Sequence, residues 1–291
     1  MHRSNLVAIF LLLAIACLAA CQSTDTVPPI ASAVDKRVPP NPDFLPGSDS
    51  YTYKSVDGIE LRLHVFNNSD GVARPKPAIV FFFGGGLRKG SVTQFEFQAK
   101  ALSKLGMLAV VADYRVKLRH NTGHTEAIAD AQAVIRWLRD HAEQLKLDPN
   151  RLVAAGGSSG GYLAAATATV ADIDETRSTV SSKPNAIALF NPALANRFPR
   201  AEATFSPYDQ LRDQAVPTFI VHGTADKIVP FASALAYCDK VIALGGYCEL
   251  HRYEDAGHGF FNPGRNGNQY HLQTLAQLKL FLKEQGYLEF R

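Results

Sequence analysis

From residue 50 onward the chain alternates short apolar runs with stretches of helical periodicity. The runs at 51–55, 61–66, 78–83, 108–113, 151–155, 186–190, 218–222 and 247–253 predict strands, the second through its alternation of apolar and polar positions. The patterns at roughly 92–105, 125–145, 160–170, 231–244 and 270–285 predict helices. Strands interleaved with helices imply parallel βαβ units with helices on both faces of one sheet. The first two runs are separated only by Val56-Asp57-Gly58, so they are expected to pair as an edge hairpin. The expectation is an α/β domain over 49–291 with a mostly parallel, eight-stranded open sheet and no internal repeat.

Upstream the pattern changes. His2 and Arg3 precede a continuous apolar run from Leu6 to Ala16, which has signal-peptide length and is short for a membrane span. It closes with Leu18-Ala19-Ala20-Cys21, similar to a bacterial lipobox, in which cleavage leaves Cys21 as a lipidated N-terminus. An ordinary secretory signal cut after Ala20 is the alternative. Residues 1–20 are therefore read as a lipoprotein signal peptide and 21–48, rich in Pro, Ser and Thr, as a flexible tether. The expected location is the cell envelope, lipid-anchored, with Gln22 implying the outer membrane in a Gram-negative host; plain secretion is the alternative.

Composition changes the picture little: 46% hydrophobic and 20% charged residues suit one globular domain. The net charge of +3 includes no basic block or stripe, which argues against a nucleic-acid partner. Of four cysteines, Cys17 leaves with the leader and Cys21 is acylated on this reading. Cys238 and Cys248 remain, and either a disulfide or two separate buried thiols fits their placement on a helix and at the start of the next strand.

In open α/β sheets chemistry gathers at the carboxyl ends of the strands. Gly84-Gly85-Gly86, the GGSSGG stretch of Gly156 to Gly161, Asp226 and His258 all follow predicted strands. A Gly/Ser run is usually a flexible linker, but this one lies between an apolar strand and the helix-forming Tyr162-Leu163-Ala164-Ala165-Ala166. Both Ser158 and Ser159 satisfy G-x-S-x-G, the spacing of a nucleophile elbow, in which side chains two residues either way would collide. Sterics leave the choice open.

The segment from Asp148-Pro149-Asn150-Arg151 to Gly160-Gly161 resembles the elbow of α/β-hydrolases of the hormone-sensitive-lipase and acetyl-esterase type. The trailing glycine pair of that pattern implies Ser158 as nucleophile and the Ser159 N–H as an oxyanion-hole donor. His222-Gly223-Thr224-Ala225-Asp226-Lys227-Ile228-Val229-Pro230 resembles the family's acid loop, implying Asp226 as the acid and His222 as structural. Gly257-His258-Gly259-Phe260 resembles its histidine loop, implying His258 as the base. Glu254 and Asp255 are nearer His258 in sequence but are expected at the surface, and His120, His124 and His141 are expected to be solvated. Phe83-Gly84-Gly85-Gly86 resembles the His-Gly-Gly-Gly loop that supplies oxyanion-hole N–H groups, here from Gly85 and Gly86, with Phe83 where the family usually has His. Asp113-Tyr114-Arg115 matches another family feature, with Arg115 bracing a loop. The resemblance covers about residues 50 to 290.

It implies the α/β-hydrolase fold and a serine carboxylesterase that works through an acyl-enzyme without metal or cofactor. The connection from Asn191 to Ala215 is short, so a small cap or none is expected, with an open site for a short acyl group and a bulky alcohol such as a carbohydrate. Leu87, Arg88 and Phe260 flank the motifs and are candidates for substrate contact; Arg88 and Lys89 could meet a sugar acid or be merely exposed. Two rivals remain: a dipeptidyl-peptidase-like serine peptidase, and a lipid-anchored binding protein without turnover. Oligomeric state is not legible.

Overall fold

Strand β1 (Asp49–Val56) and strand β2 (Ile59–Phe66) form the expected edge hairpin, with Val56 opposite Ile59. Asp57 and Gly58 both have positive φ, 51° and 75°, the requirement of the two-residue turn whose twist matches the strands it joins. The other strands are β3 (Lys76–Phe82), β4 (Leu108–Ala112), β5 (Leu147–Gly157), β6 (Ala186–Phe190), β7 (Thr218–Gly223) and β8 (Cys248–Tyr253). They lie in the order β1-β2-β4-β3-β5-β6-β7-β8. β2 meets β4 antiparallel and every pairing from β4 to β8 is parallel. This computed structural model describes residues 38–68, 75–173, 179–194, 205–212 and 215–289. The signal peptide, the Cys21 lipidation site and much of the Asn191–Ala215 connection lie outside the described residues.

Every residue of β3, β4, β6 and β7 is buried, so side chains pointing to both faces of the sheet are covered. The covering helices are α1 (Glu96–Ser103), α2 (Lys117–His120), α3 (His124–Asp140), α4 (Ala142–Leu145), α5 (Ser159–Thr169), α6 (Pro207–Gln210), α7 (Phe231–Ala243) and α8 (Gln269–Glu284). The predicted helix at 92–105 opens with a 3-10 turn at Val92–Phe95 before α1. The predicted helix at 125–145 is interrupted at His141, between α3 and α4.

Two features bear on the site. A cluster of aromatic rings lies beneath the end of β5: Phe95 contacts Phe81, Phe190 and Phe261 at centroid distances of 5.0, 5.5 and 5.6 Å. Burial of each such ring contributes about 1.5–3 kcal/mol, so the rim above it rests on a rigid floor. Cys238 and Cys248 form a disulfide, which ties α7 to β8 and resolves the choice that the sequence left open.

The segment 41–48, assigned by composition to the tether, is docked on the domain. Leu45 is buried, and the Asn41 side chain donates to Asp113 and accepts from the Val92 N–H at 3.1 Å. Proline-rich composition does not reveal such a dock, because its partners, Asp113 and Val92, lie far along the chain.

Candidate active site

β5 passes straight into α5, and the residue at the junction is Ser158, with φ 53° and ψ −115°. That strained backbone is held by its surroundings: the Ser158 N–H donates to Phe190 O at 2.9 Å, and its carbonyl accepts from the N–H groups of Tyr162 and Ala193. The glycines two positions away allow the turn. A Cβ on Gly156 would stand 2.4 Å from the Gly160 backbone, and one on Gly160 would stand 2.0 Å from Phe82 O. Gly157 and Gly161 are tight mainly against side chains, Phe261 and Pro192. The structure therefore separates two serines that the motif could not: Ser158 is half-buried at the turn and opens on a cavity, and Ser159 is fully buried as the first residue of α5.

The other two predicted members come to meet Ser158. His258, on the loop after β8, places Nε2 3.0 Å from Ser158 Oγ and Nδ1 2.7 Å from Asp226 Oδ2. With Nδ1–H donating to the carboxylate, Nε2 is left to accept the serine proton. Asp226, on the loop after β7, accepts from the Ile228 and Val229 N–H groups at 2.8 and 2.9 Å through its other oxygen. Burial works to raise its carboxyl, but the hydrogen bonds from His222, His258 and those two amides outweigh it and hold it well below the ordinary carboxylate range. His222 is buried, donates to Val229 O at 2.9 Å and lies 3.4 Å from Asp226 Oδ2, so it braces the acid loop as expected. Glu254 is exposed and pairs with Arg252 and Thr224, away from His258, and Asp255 is exposed too.

The glycine loop departs from expectation. Gly85 has φ 133°, and a Cβ there would stand 1.9 Å from Lys89 O, so only glycine fits. The Gly86 N–H, however, is engaged: it donates to Ser159 Oγ at 2.9 Å. Beside the Ser159 hydroxyl, the Tyr114 phenol donates to Phe83 O at 2.7 Å. Among the described residues the N–H groups of Gly85 and Ser159 carry no protein partner, and these two are the donors free beside Ser158.

Phe83 takes over the bracing expected of a histidine. Its ring stacks on Tyr114 at 4.2 Å and Arg119 lies over it at 5.7 Å. Arg119 also donates to Gly90 O at 2.7 Å, at the far end of the glycine loop. Arg115 makes paired hydrogen bonds, each 2.8 Å, to Asp130 on α3, in line with a bracing role. Sequence reasoning missed Arg119, Asn191 and Gln94. Asn191 accepts from the Gly259 N–H at 2.9 Å and so fixes the backbone beside His258. Gln94 accepts from the Gly84 N–H and donates to Asn262, joining the glycine loop to the histidine loop. No local motif marks such residues.

A cavity of about 610 Å³ opens on Ser158 and His258 between the glycine loop, Leu194, Ile228 and Phe261. The three candidate substrate contacts do not line it. Leu87 turns into the core, Arg88 is exposed away from the cavity, and Phe260 packs on Tyr253 at 4.7 Å. Lys89, Phe261 and Arg265 line it instead. The loops are irregular, so a one-residue step there does not follow strand alternation. His120, His124 and His141, expected to be solvated, are half-buried and hydrogen-bonded to Val116, Tyr162 and Trp137. Among the described residues no cluster of three or more His, Cys, Asp or Glu side chains could hold a metal ion.

The arrangement matches known proteins. The family model BD-FAE matches residues 63–190. The propionate-bound esterase Est2 of the planctomycete Thermogutta terrifontis superposes with a TM-score of 0.80 and 40% identity, covering 84% of this chain and 97% of that one. The same esterase phosphorylated by paraoxon gives a TM-score of 0.81 and 42% identity over the same shares. Esterase LipC of Mycobacterium tuberculosis is 25% identical over 68% of this chain, and the acetylxylan esterase of Xylanibacter ruminicola is 27% identical over 71% of it. The chain spans 56% and 45% of the lengths of those two relatives. The chain belongs to the α/β-hydrolase carboxylesterases.

Proposed function

We propose that this chain is a serine carboxylesterase that hydrolyses short-chain, acetyl-type esters through an acyl-enzyme, with acetylated carbohydrate as the natural class of substrate. The observation that carries this reading is the contact chain from Ser158 Oγ through His258 to Asp226, at 3.0 and 2.7 Å, at the foot of an open cavity. The Ser158 oxygen attacks the ester carbonyl carbon while its proton passes to His258 Nε2. The carbonyl oxygen becomes an anion facing the Gly85 and Ser159 N–H groups. Collapse of the tetrahedral intermediate expels the alcohol, protonated by His258, and leaves an acyl group on Ser158. Water, deprotonated by His258, attacks that acyl carbon; the acid is released and Ser158 regains its proton. Asp226 keeps the imidazole in the tautomer that accepts at Nε2.

Likeness to an acetylxylan esterase supports the carbohydrate reading, and the propionate bound to Est2 supports a short acyl group. Attachment to the cell envelope through Cys21 is part of the same proposal, supported by the lipobox-like Leu18-Ala19-Ala20-Cys21 and by a disulfide that suits an oxidising compartment. The test is hydrolysis of p-nitrophenyl acetate, butyrate and octanoate by residues 22–291, with Ser158→Ala alongside. Turnover that favours acetate and disappears in Ser158→Ala supports the reading. A folded wild type inert on all three esters sinks it and returns the peptidase and binding rivals.

A further inference from the structure

The cavity over Ser158 is unequal in charge. Among the described residues its lining holds two cations, Lys89 and Arg265, and no Asp or Glu. They come from two different loops. Lys89 belongs to the glycine loop, where its N–H donates to Gly85 O, and Arg265 belongs to the loop after His258. Both side chains are exposed, and among the described residues neither is paired with a carboxylate. Asp226, hydrogen-bonded to His258 behind the cavity, has a fully buried side chain whose oxygens are taken by His258, Ile228 and Val229. A second cavity, about 640 Å³, shares His258 and Arg265 with the first and continues past Asn266, Gln269 and Tyr270; among the described residues its one acid is Asp255, which makes no ion pair with Arg265.

Unpaired charges of one sign at the mouth of a low-dielectric cleft focus the field into it and raise the local concentration of oppositely charged substrate. A cavity built for neutral esters has no need of two such cations in its lining. Resting on the esterase reading, we propose that the natural substrate is an ester bearing a carboxylate, received by Lys89 and Arg265 at the mouth of the Ser158 cavity. The shared groove past Arg265 suits an extended, acidic glycan better than a compact ester.

The test uses two matched pairs of esters. One pair carries the charge on the alcohol side, 4-acetoxybenzoate against 4-acetoxybenzamide. The other carries it on the acyl side, the p-nitrophenyl monoester of adipate against that of adipamic acid. In the wild type at low ionic strength, kcat/KM for the anionic member of at least one pair should exceed its neutral partner by about 5- to 20-fold, falling toward parity near 0.5 M salt. In Lys89→Gln/Arg265→Gln the ratio should drop to about one, and in Lys89→Glu/Arg265→Glu it should invert, which a merely misfolded cavity could not produce. The pair that shows the preference tells which half of the ester carries the charge. Parity in both pairs, or a preference that the variants leave in place, overturns the proposal while neutral-ester turnover keeps the esterase reading intact. Failure of the wild type on all four esters sinks both.

Discussion

The Gly86 N–H donates to Ser159 Oγ at 2.9 Å, so the residue beside the nucleophile holds the loop that faces it. The Ser159 side chain thereby braces the glycine loop, while its own N–H has no protein partner among the described residues. Ser159→Ala keeps that N–H and removes the brace. It should lower kcat about 10-fold with KM little changed, whereas Ser158→Ala should remove turnover by a factor of at least about 10⁴. Steady-state kinetics of both variants on p-nitrophenyl acetate decides it; equal losses would mean that the two hydroxyls act as one unit.

Asp226 is held ionised by four hydrogen-bond donors. Asp226→Asn keeps the shape but presents an amide where His258 needs an acceptor, and should cost about 10³–10⁴ in kcat. Its circular dichroism should remain that of the wild type. A loss under tenfold would show that His258 is oriented by something else.

Phe83 stands where relatives of this type usually carry histidine. Here the position is an apolar slot, 1% exposed, against Tyr114 and under Arg119. Phe83→His would bury ring nitrogens without partners beside a cation, and should destabilise the chain by about 1–3 kcal/mol rather than improve it. Urea denaturation measures the cost, and a more stable variant would contradict the bracing role given to the ring.

Two groups near the glycine loop titrate with opposite consequences. Burial pushes the Asp113 carboxyl up to about 6, against the pull of Arg119, the Tyr114 N–H and Asn41. An unfolded Asp titrates near 3.9, so between about pH 4 and 6 the folded chain retains a proton that the unfolded chain has lost, and this group's contribution to stability falls as pH rises. Burial, then Arg119, pushes His120 down to about 4, against the pull of Asp130. Between about pH 6.5 and 4 the unfolded chain takes up a proton that the folded chain does not, and His120's contribution falls as pH drops. Asp113→Asn should therefore gain on the wild type by about 2 kcal/mol as pH rises from 4 to 6, and His120→Gln should gain as pH falls over a similar range. Denaturation midpoints at four pH values check both slopes; differences that do not change with pH would refute them.

The disulfide closes a loop with a sequence separation of 10, for which chain entropy gives about 2.5 kcal/mol. The double variant Cys238→Ser/Cys248→Ser, which leaves no free thiol from the pair, should lose about that much in denaturant titration. An unchanged midpoint would mean that packing of α7 on β8 already fixes the strand.

The strands, their order-defining hairpin and the members of the Ser158–His258–Asp226 chain were legible because each follows from local pattern: an apolar run, a glycine two residues from a serine, a histidine between small residues. What the sequence hid depends on partners far along the chain. Gln94 and Asn262 meet across 168 positions, and Gly86 and Ser159 across 73. Phe260 and Phe261 are alike as residues, and only the path of an irregular loop decides that Phe261 lines the cavity while Phe260 packs behind it. The motif also assigned Gly86 to the oxyanion, because a motif records which residues are present and not which hydrogen bond each has already made.

Asn41 grips Asp113 and the Val92 N–H, just past the end of β4 and just after the glycine loop. If Cys21 carries the proposed lipid, this grip sets the length of the leash. The covalent reach of the chain from Cys21 to Asn41 is at most roughly 70 Å. The enzyme would then patrol a thin shell over its membrane, and a polymer would be deacylated only along the stretches that drape within it.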